Sequence, residues 1–263
     1  MVVGKVHLIS GMHMVGTNKA LGQHWLKNRA ILNEIAELTG GGELCVEIGP
    51  GLGFLTSSLL KRFARVIAVE YDQRLAENLP KSFPGTSLGV INDDILEVDL
   101  DKLTKDDKYI IAGNIPYYIT SPILKKVLTV KNLPERVVLL MQKEVVERVT
   151  NEKETALSLF VKNRAEVEAG LAVNRGEFTP PPKVDSQVLI LRPHQPKISD
   201  EVFKLIRTAF KSPRKKLIHN LSSLKPREDL EKIFTSLNID LNVRPGDLHL
   251  AQYARLYDTI VAC

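Results

Sequence analysis

The chain has 263 residues, 44% hydrophobic and 25% charged, which is enough to bury one full core beside a smaller appended unit and too balanced for a disordered or fibrous protein. Its net charge is +5, and the excess is uneven: residues 1–196 hold 24 Lys and Arg against 23 Asp and Glu, while residues 197–263 hold 12 against 8. The longest apolar runs, such as Val137 to Met141 and Val188 to Leu191, fall far short of the roughly 20 residues of a membrane span, which excludes a transmembrane helix.

Residues 1–18 contain one Lys or Arg, Lys5, and no apolar stretch ending in a small-residue cleavage site, so a loose extension is expected rather than a leader. From residue 43 onward, short β-branched runs alternate with amphipathic stretches, the pattern of a parallel sheet wrapped by helices. Strands are expected at 44–48, 65–70, 87–91, 109–112 and 137–141, with helices such as 55–63 and 121–128 between them. The fold class is therefore α/β, a doubly wound Rossmann-like sheet. Pro180 to Pro182 impose an extended segment, and 187–191 form a further strand. Pro193 and Pro196 mark a linker. Beyond it, 201–211, 214–221, 227–237 and 250–261 have only helical periodicity, so a sheet domain over 19–196 and a small helical domain over 197–263 are expected. Cys45 and Cys263 are too few for a disulfide framework or a metal site, so the expectation is a reducing cytoplasm and no metal.

The first expected strand ends in Glu47-Ile48-Gly49-Pro50-Gly51-Leu52-Gly53. Glycines at every second position let a ligand approach bare backbone. A dinucleotide fingerprint spaces its third glycine differently and keeps helix N–H groups free for pyrophosphate, whereas Pro50 removes one donor. The turn therefore suits a ligand without phosphates, and Glu47 beside it suits a positively charged one. Glu70 ends the second strand, where a carboxylate accepts ribose hydroxyls, and Asp94 follows the third, within reach of an adenine amino group. Together these features point to an adenosyl ligand bearing a cation.

The fourth strand leads into Asn114-Ile115-Pro116-Tyr117. An aromatic amine is a poor nucleophile because its lone pair is spread into the ring. Two acceptors, the Asn114 side chain and a carbonyl on the rigid Ile115-Pro116 link, can take both N–H groups and favour a tetrahedral nitrogen. Tyr117 is placed to stack on the base.

Taken with Leu21-Gly22-Gln23-His24-Trp25-Leu26, Gln142-Lys143-Glu144-Val145 and Phe178-Thr179-Pro180-Pro181-Pro182-Lys183-Val184-Asp185-Ser186, these motifs resemble the ribosomal RNA adenine dimethyltransferases over about residues 19–258. The likeness is greatest to the small-subunit, KsgA-type branch. It implies S-adenosylmethionine as methyl donor, with S-adenosylhomocysteine as product, and N6-dimethylation of two adjacent adenosines in the 3′-terminal hairpin of small-subunit ribosomal RNA during ribosome biogenesis. It also implies a monomer that meets the RNA alone or in an assembling subunit, and no membrane. By the same likeness His24, Leu26, Gly49, Glu70, Asp94, Ile95 and Asn114 line the cofactor site with Glu47, Gly51 and Gly53, and Phe178 covers the target base opposite Tyr117.

The chain departs from the family pattern where His24-Trp25 replaces Asn-Phe, Thr120-Ser121-Pro122 replaces Ser-Thr-Pro, and Glu154-Thr155-Ala156 replaces Tyr-Gly-Arg. The cluster Lys211, Arg214, Lys215 and Lys216 resembles the family's basic helix start and is the expected RNA contact. Competing readings are a large-subunit methyltransferase of the macrolide-resistance type, a DNA adenine methyltransferase and a non-catalytic RNA-binding assembly factor. The intact glycine turn, Glu70, Asp94 and Asn114 count against the last.

Overall fold

The computed structural model describes residues 23–262. The expected extension over 1–18, Leu21-Gly22 and Cys263 lie outside the described residues. In chain order the elements are β1 (Trp25–Leu26), α1 (Arg29–Leu38), β2 (Gly42–Ile48), α2 (Thr56–Leu59), β3 (Phe63–Glu70), α3 (Gln73–Ser82), β4 (Leu88–Asn92), α4 (Leu100–Thr104) and β5 (Tyr109–Asn114). They continue with α5 (Thr120–Val127), β6 (Arg136–Gln142), α6 (Lys143–Thr150), α7 (Ala156–Arg164), β7 (Ala165–Val173), β8 (Phe178–Thr179) and β9 (Ser186–Pro193). Four helices follow, α8 (Asp200–Ala209), α9 (Leu217–Leu221), α10 (Arg227–Ser236) and α11 (Leu250–Ala262).

Seven strands form one sheet in the order β4-β3-β2-β5-β6-β9-β7, parallel from β4 to β6 and antiparallel at β9 and β7. The period-2 geometry of a strand sends alternate residues to opposite faces. Thus Leu44, Val46 and Ile48 join Tyr109, Ile111, Val137, Leu139 and Met141 on one face, while Cys45, Ile110, Ala112, Val138 and Leu140 join the opposite core. Both faces are buried, as the near-continuous apolar strands require. Strand order reverses between β2 and β5, which opens a crevice at their C-terminal ends. Gly113 makes this pairing possible: a Cβ there would lie 2.5 Å from the Ile48 carbonyl oxygen.

The expected strands all form, with bounds that shift by one or two residues. The 55–63 stretch is a shorter helix than its apolar spacing predicts, because Phe63 already belongs to β3. No strand was expected at β7, whose Glu166 and Glu168 interrupt the apolar pattern. It is an edge strand paired only to β9, where outward carboxylates are tolerated and Glu168 meets Arg192 at 3.2 Å.

α8 to α11 build a third core around Phe203, Ile206, Leu217, Leu230, Phe234, Tyr253 and Leu256, to which α7 contributes Leu159. The Pro193–Pro196 connection is not a free linker. His194 N–H donates to the Arg164 carbonyl at 2.8 Å, and the buried Asn163 Oδ1 accepts from the N–H groups of Lys197 and Ile198 at 2.8 and 2.9 Å. The Glu154-Thr155-Ala156 departure has a structural use here. Thr155 and Ser158 cap α7 reciprocally, and the buried Glu154 carboxylate accepts from Ser158 Oγ (2.6 Å) and Lys162 Nζ (2.9 Å) and lies 3.3 Å from His249 Nδ1. Glu154 N–H also donates to the Gly246 carbonyl at 2.9 Å, so the segment ties α7 to the approach of α11.

Candidate active site

The crevice is a cleft of about 330 Å³ at the C-terminal ends of β2, β3 and β5, closed on one side by the β1 segment. Its lining includes Glu47, Gly49, Gly51, Glu70, Asp94, Ile95, Asn114, Ile115, Pro116 and Tyr117, with His24, Trp25 and Leu26 from the β1 segment. These residues, separated by up to 93 positions from His24 to Tyr117, therefore converge. β1 is held there by pairing with β8, by the contact of His24 Nδ1 with the Pro180 carbonyl (2.8 Å), and by Asn114 Nδ2 donating to the His24 carbonyl (3.2 Å).

The last of these bonds orients the Asn114 amide. With Nδ2 spent on His24, Oδ1 is left as the acceptor, and among the described residues no donor reaches it. Ile115 N–H is tied to the Leu140 carbonyl at 3.1 Å, which holds the turn rigid before Pro116. Tyr117 is half-buried, its hydroxyl bonded to Ser186 Oγ (2.7 Å) and its ring stacked at 6.0 Å and 23° on His24. Burial pushes the phenol above its ordinary range.

The glycine turn is braced from below. Glu70 Oε2 accepts from Gly51 N–H (3.0 Å) and Oε1 from Asp72 N–H (2.9 Å), so one carboxylate fixes both the turn and the start of α3. Burial raises the Glu70 pKa, and these backbone bonds oppose the rise. Gly49 and Gly51 have φ of +65° and +58°, the region that favours glycine. Gly53 faces elsewhere. It does not line the cleft, and a Cβ on it would stand 2.6 Å from Phe83 and 2.7 Å from Leu79, so this glycine serves the packing of α3 on the turn. Phe178 also departs from its expected place over the base. At 3% exposure it packs in the second core with Leu26 and Leu32 and does not line the cleft, because β8 is pinned against β1.

Two exposed aromatic residues, Tyr71 and Tyr118, flank the Glu70–Asp94 end of the cleft. Neither is marked by periodicity; the only signals are adjacency to Glu70 and to Tyr117. Among the described residues no Lys or Arg lines the cleft. Among the described residues no group of His, Cys, Asp and Glu is arranged to hold a metal ion, and no helix is long and apolar enough to cross a membrane.

Comparison with known proteins places the chain in a family. The family model described as ribosomal RNA adenine dimethylase covers residues 14–261. The chain belongs to this family. As one of these dimethylases it is a transferase of the ribosomal RNA methyltransferase class. It is 36% identical to the "Ribosomal RNA small subunit methyltransferase A" of Bacillus thuringiensis (92% of this chain, 91% of the relative) and 33% identical to that of Mycoplasma capricolum (92% and 97%). Among solved structures it is similar to a dimethyladenosine transferase from Plasmodium falciparum (TM-score 0.75, 27% identity, covering 89% of this chain and 96% of the other). It is also similar to the 23S rRNA methyltransferase ErmE (TM-score 0.73, 25% identity, covering 90% and 99%).

In this dimethylase the acid before the glycine turn is not presented as a bare charge. Glu47 is fully buried and accepts from Thr56 Oγ1 at 2.6 Å; burial pushes its pKa up to about 8, the Thr56 bond opposes this, and the nearby Glu70 charge adds to it. A pKa raised in the folded state contributes stability that is complete below the ordinary value of 4.5 and is lost as pH rises toward 8. Glu47→Gln keeps an acceptor for Thr56 and removes the titration. Its melting temperature relative to the wild type is expected to be higher at about pH 8.5 than at about pH 5. Thermal melts at the two pH values check this, and a pH-independent difference contradicts it.

The basic cluster is placed differently from its expected helix start. Lys211, Arg214, Lys215 and Lys216 occupy the turn between α8 and α9, since Pro213 interrupts the run and α9 begins only at Leu217. All four are exposed, and among the described residues none makes an ion pair; Lys216 Nζ donates to Asn242 Oδ1.

Proposed function

We propose that this dimethylase transfers methyl groups from S-adenosylmethionine to N6 of two adjacent adenosines in the 3′-terminal hairpin of small-subunit ribosomal RNA. The sheet unit over 19–196 carries the chemistry and the helical unit over 197–263 the RNA contact. One observation carries the chemical part: Asn114 Oδ1 is a fixed, unspent acceptor at the tip of β5, on a cleft whose other end offers carboxylates suited to an adenosyl group. The small-subunit choice is supported by the names of the sequence relatives, against which the likeness to ErmE argues for the large subunit.

The residues present fit the donor. Glu70 keeps lone pairs for ribose hydroxyls beside its backbone bonds, Asp94 Oδ2 is unspent while Oδ1 caps the next turn at Leu96, and Gly49 and Gly51 leave room at the backbone. When bound, S-adenosylmethionine supplies an electrophilic methyl on a sulfonium. Asn114 Oδ1 and a carbonyl of the Ile115-Pro116 link accept the two N–H groups of the adenine amine, drawing its lone pair out of conjugation. Tyr117 stacks on the base and His24 backs the Tyr117 ring. No general base is needed before transfer, because an alkylated amine loses its proton readily to water. Everting the adenine costs a few kcal/mol, which stacking of ~1–3 kcal/mol per base helps offset.

The decisive experiment incubates the protein with labelled S-adenosylmethionine and unmethylated small or large ribosomal subunits, then maps the modified bases. Label at N6 of adjacent adenosines near the 3′ end of the small-subunit RNA supports the proposal; label in large-subunit RNA, in DNA, or nowhere rejects it. Replacing Arg214, Lys215 and Lys216 by Ala is expected to weaken RNA binding and flatten the salt dependence by roughly one unit of slope per lost phosphate contact. An unchanged slope in a filter-binding series would place the RNA surface elsewhere.

A further inference from the structure

Trp25 is the sole tryptophan of the chain and stands where the family pattern has Phe. Its indole Nε1 is shut from solvent and has no hydrogen-bond partner among the described residues. The ring edge lies over the glycine turn: a Cβ on Gly51 would be 3.5 Å from Nε1 and 3.6 Å from Cδ1. A buried N–H without an acceptor costs about 1–3 kcal/mol, so a donor left unspent at a ligand cleft is a binding group waiting for an acceptor.

The chemistry of the cleft narrows what that acceptor is. Its carboxyl lining is Glu47, Glu70, Asp93 and Asp94, of which the buried Glu47 is held toward its neutral form, and among the described residues no Lys or Arg lines it. Among the described residues, the donors left for an anionic group here are therefore N–H groups of the backbone and of uncharged side chains. The carboxylates of Glu70 and Asp94 suit the adenosyl end, which leaves the glycine turn and the β1 segment for the amino-acid end of the same ligand. We infer that the Trp25 indole N–H binds the carboxylate of the amino-acid moiety of S-adenosylmethionine, giving this chain a charge-assisted contact that phenylalanine at the same place lacks. This rests on the proposal that the cleft holds that ligand.

The test compares S-adenosylhomocysteine, which carries the carboxylate, with 5′-methylthioadenosine, which lacks the whole amino-acid group, by isothermal titration calorimetry on the full chain. Trp25→Phe keeps an aromatic ring while removing the N–H together with part of the indole's volume, and the 5′-methylthioadenosine arm reads the packing change. It is expected to weaken S-adenosylhomocysteine binding roughly tenfold or more and to leave 5′-methylthioadenosine binding within a factor of about two. Equal losses for both ligands, or none for either, overturn the inference. A wild-type protein that binds neither ligand overturns the cofactor assignment itself, a different result from the first two. Should Trp25→Phe fail to fold, the wild type decides: its single-tryptophan emission is expected to shift with S-adenosylhomocysteine and not with 5′-methylthioadenosine, and an identical response to both overturns the inference.

Discussion

Asn114→Ala is expected to lower the single-turnover methylation rate by roughly 10²–10³-fold, the range found when one preorganised polar contact at a reacting centre is removed. The reason lies in the two ends of this amide. Nδ2 is committed to the His24 carbonyl at 3.2 Å, and that bond sets the direction of Oδ1. Alanine deletes the acceptor and leaves the amine lone pair conjugated with the ring. It also removes one neutral hydrogen bond to the β1 segment, worth about 1 kcal/mol, too little to unfold the sheet while β1 remains paired to β8 and His24 remains at the Pro180 carbonyl. S-adenosylhomocysteine affinity is therefore expected to change only a few-fold. Rate and affinity measured on one preparation separate the two effects. Near-normal turnover would remove Asn114 from the chemistry.

What the sequence made legible follows from how each signal is generated. The inner strands β2, β3, β5 and β6 were readable because a parallel strand buried on both faces is a run of apolar residues, and β9 and the edge strand β4 were readable from the shorter apolar runs they keep. β7 was not, because an edge strand keeps only half of that requirement and Glu166 and Glu168 occupy the other half. The glycine turn was readable as a unit, but the separate duties of its members were not. Gly51 faces the cleft beneath Trp25, whereas Gly53 is set by the Phe83 and Leu79 side chains, more than 25 residues away in sequence.

Phe178 shows the same limit. Its segment is paired to the β1 strand that borders the cleft, yet the side chain turns into the core because β8 pairs with β1, a long-range pairing that no local pattern encodes. Glu154 is the converse case. It reads as a departure from a family motif and turns out to be a buried carboxylate with three side-chain neighbours from two parts of the fold. The residues that line the cleft were thus visible as residue types at strand ends, and their support was not, since hydrogen bonds between β1, β5 and β8 are properties of the assembled fold.

The support around Tyr117 gives the second large effect. Tyr117→Ala removes the stacking surface and is expected to cost roughly 10- to 100-fold in methylation rate, from ~1–3 kcal/mol of base stacking. Tyr117→Phe keeps the ring and loses only the bond to Ser186 Oγ, a contact worth about 0.5–1.5 kcal/mol, so its loss should stay below about tenfold and be matched by Ser186→Ala. Because burial raises the phenol pKa, the hydroxyl stays protonated through neutral and mildly alkaline pH, and the pH–rate profiles of wild type and Tyr117→Phe should run parallel there. A Phe variant as slow as the Ala variant, or one whose alkaline limb departs from the wild type, would transfer the role from the ring to the hydroxyl. The ordering Ala far below Phe, with Phe close to Ser186→Ala, is what a stacking platform held in place by a single hydroxyl bond requires.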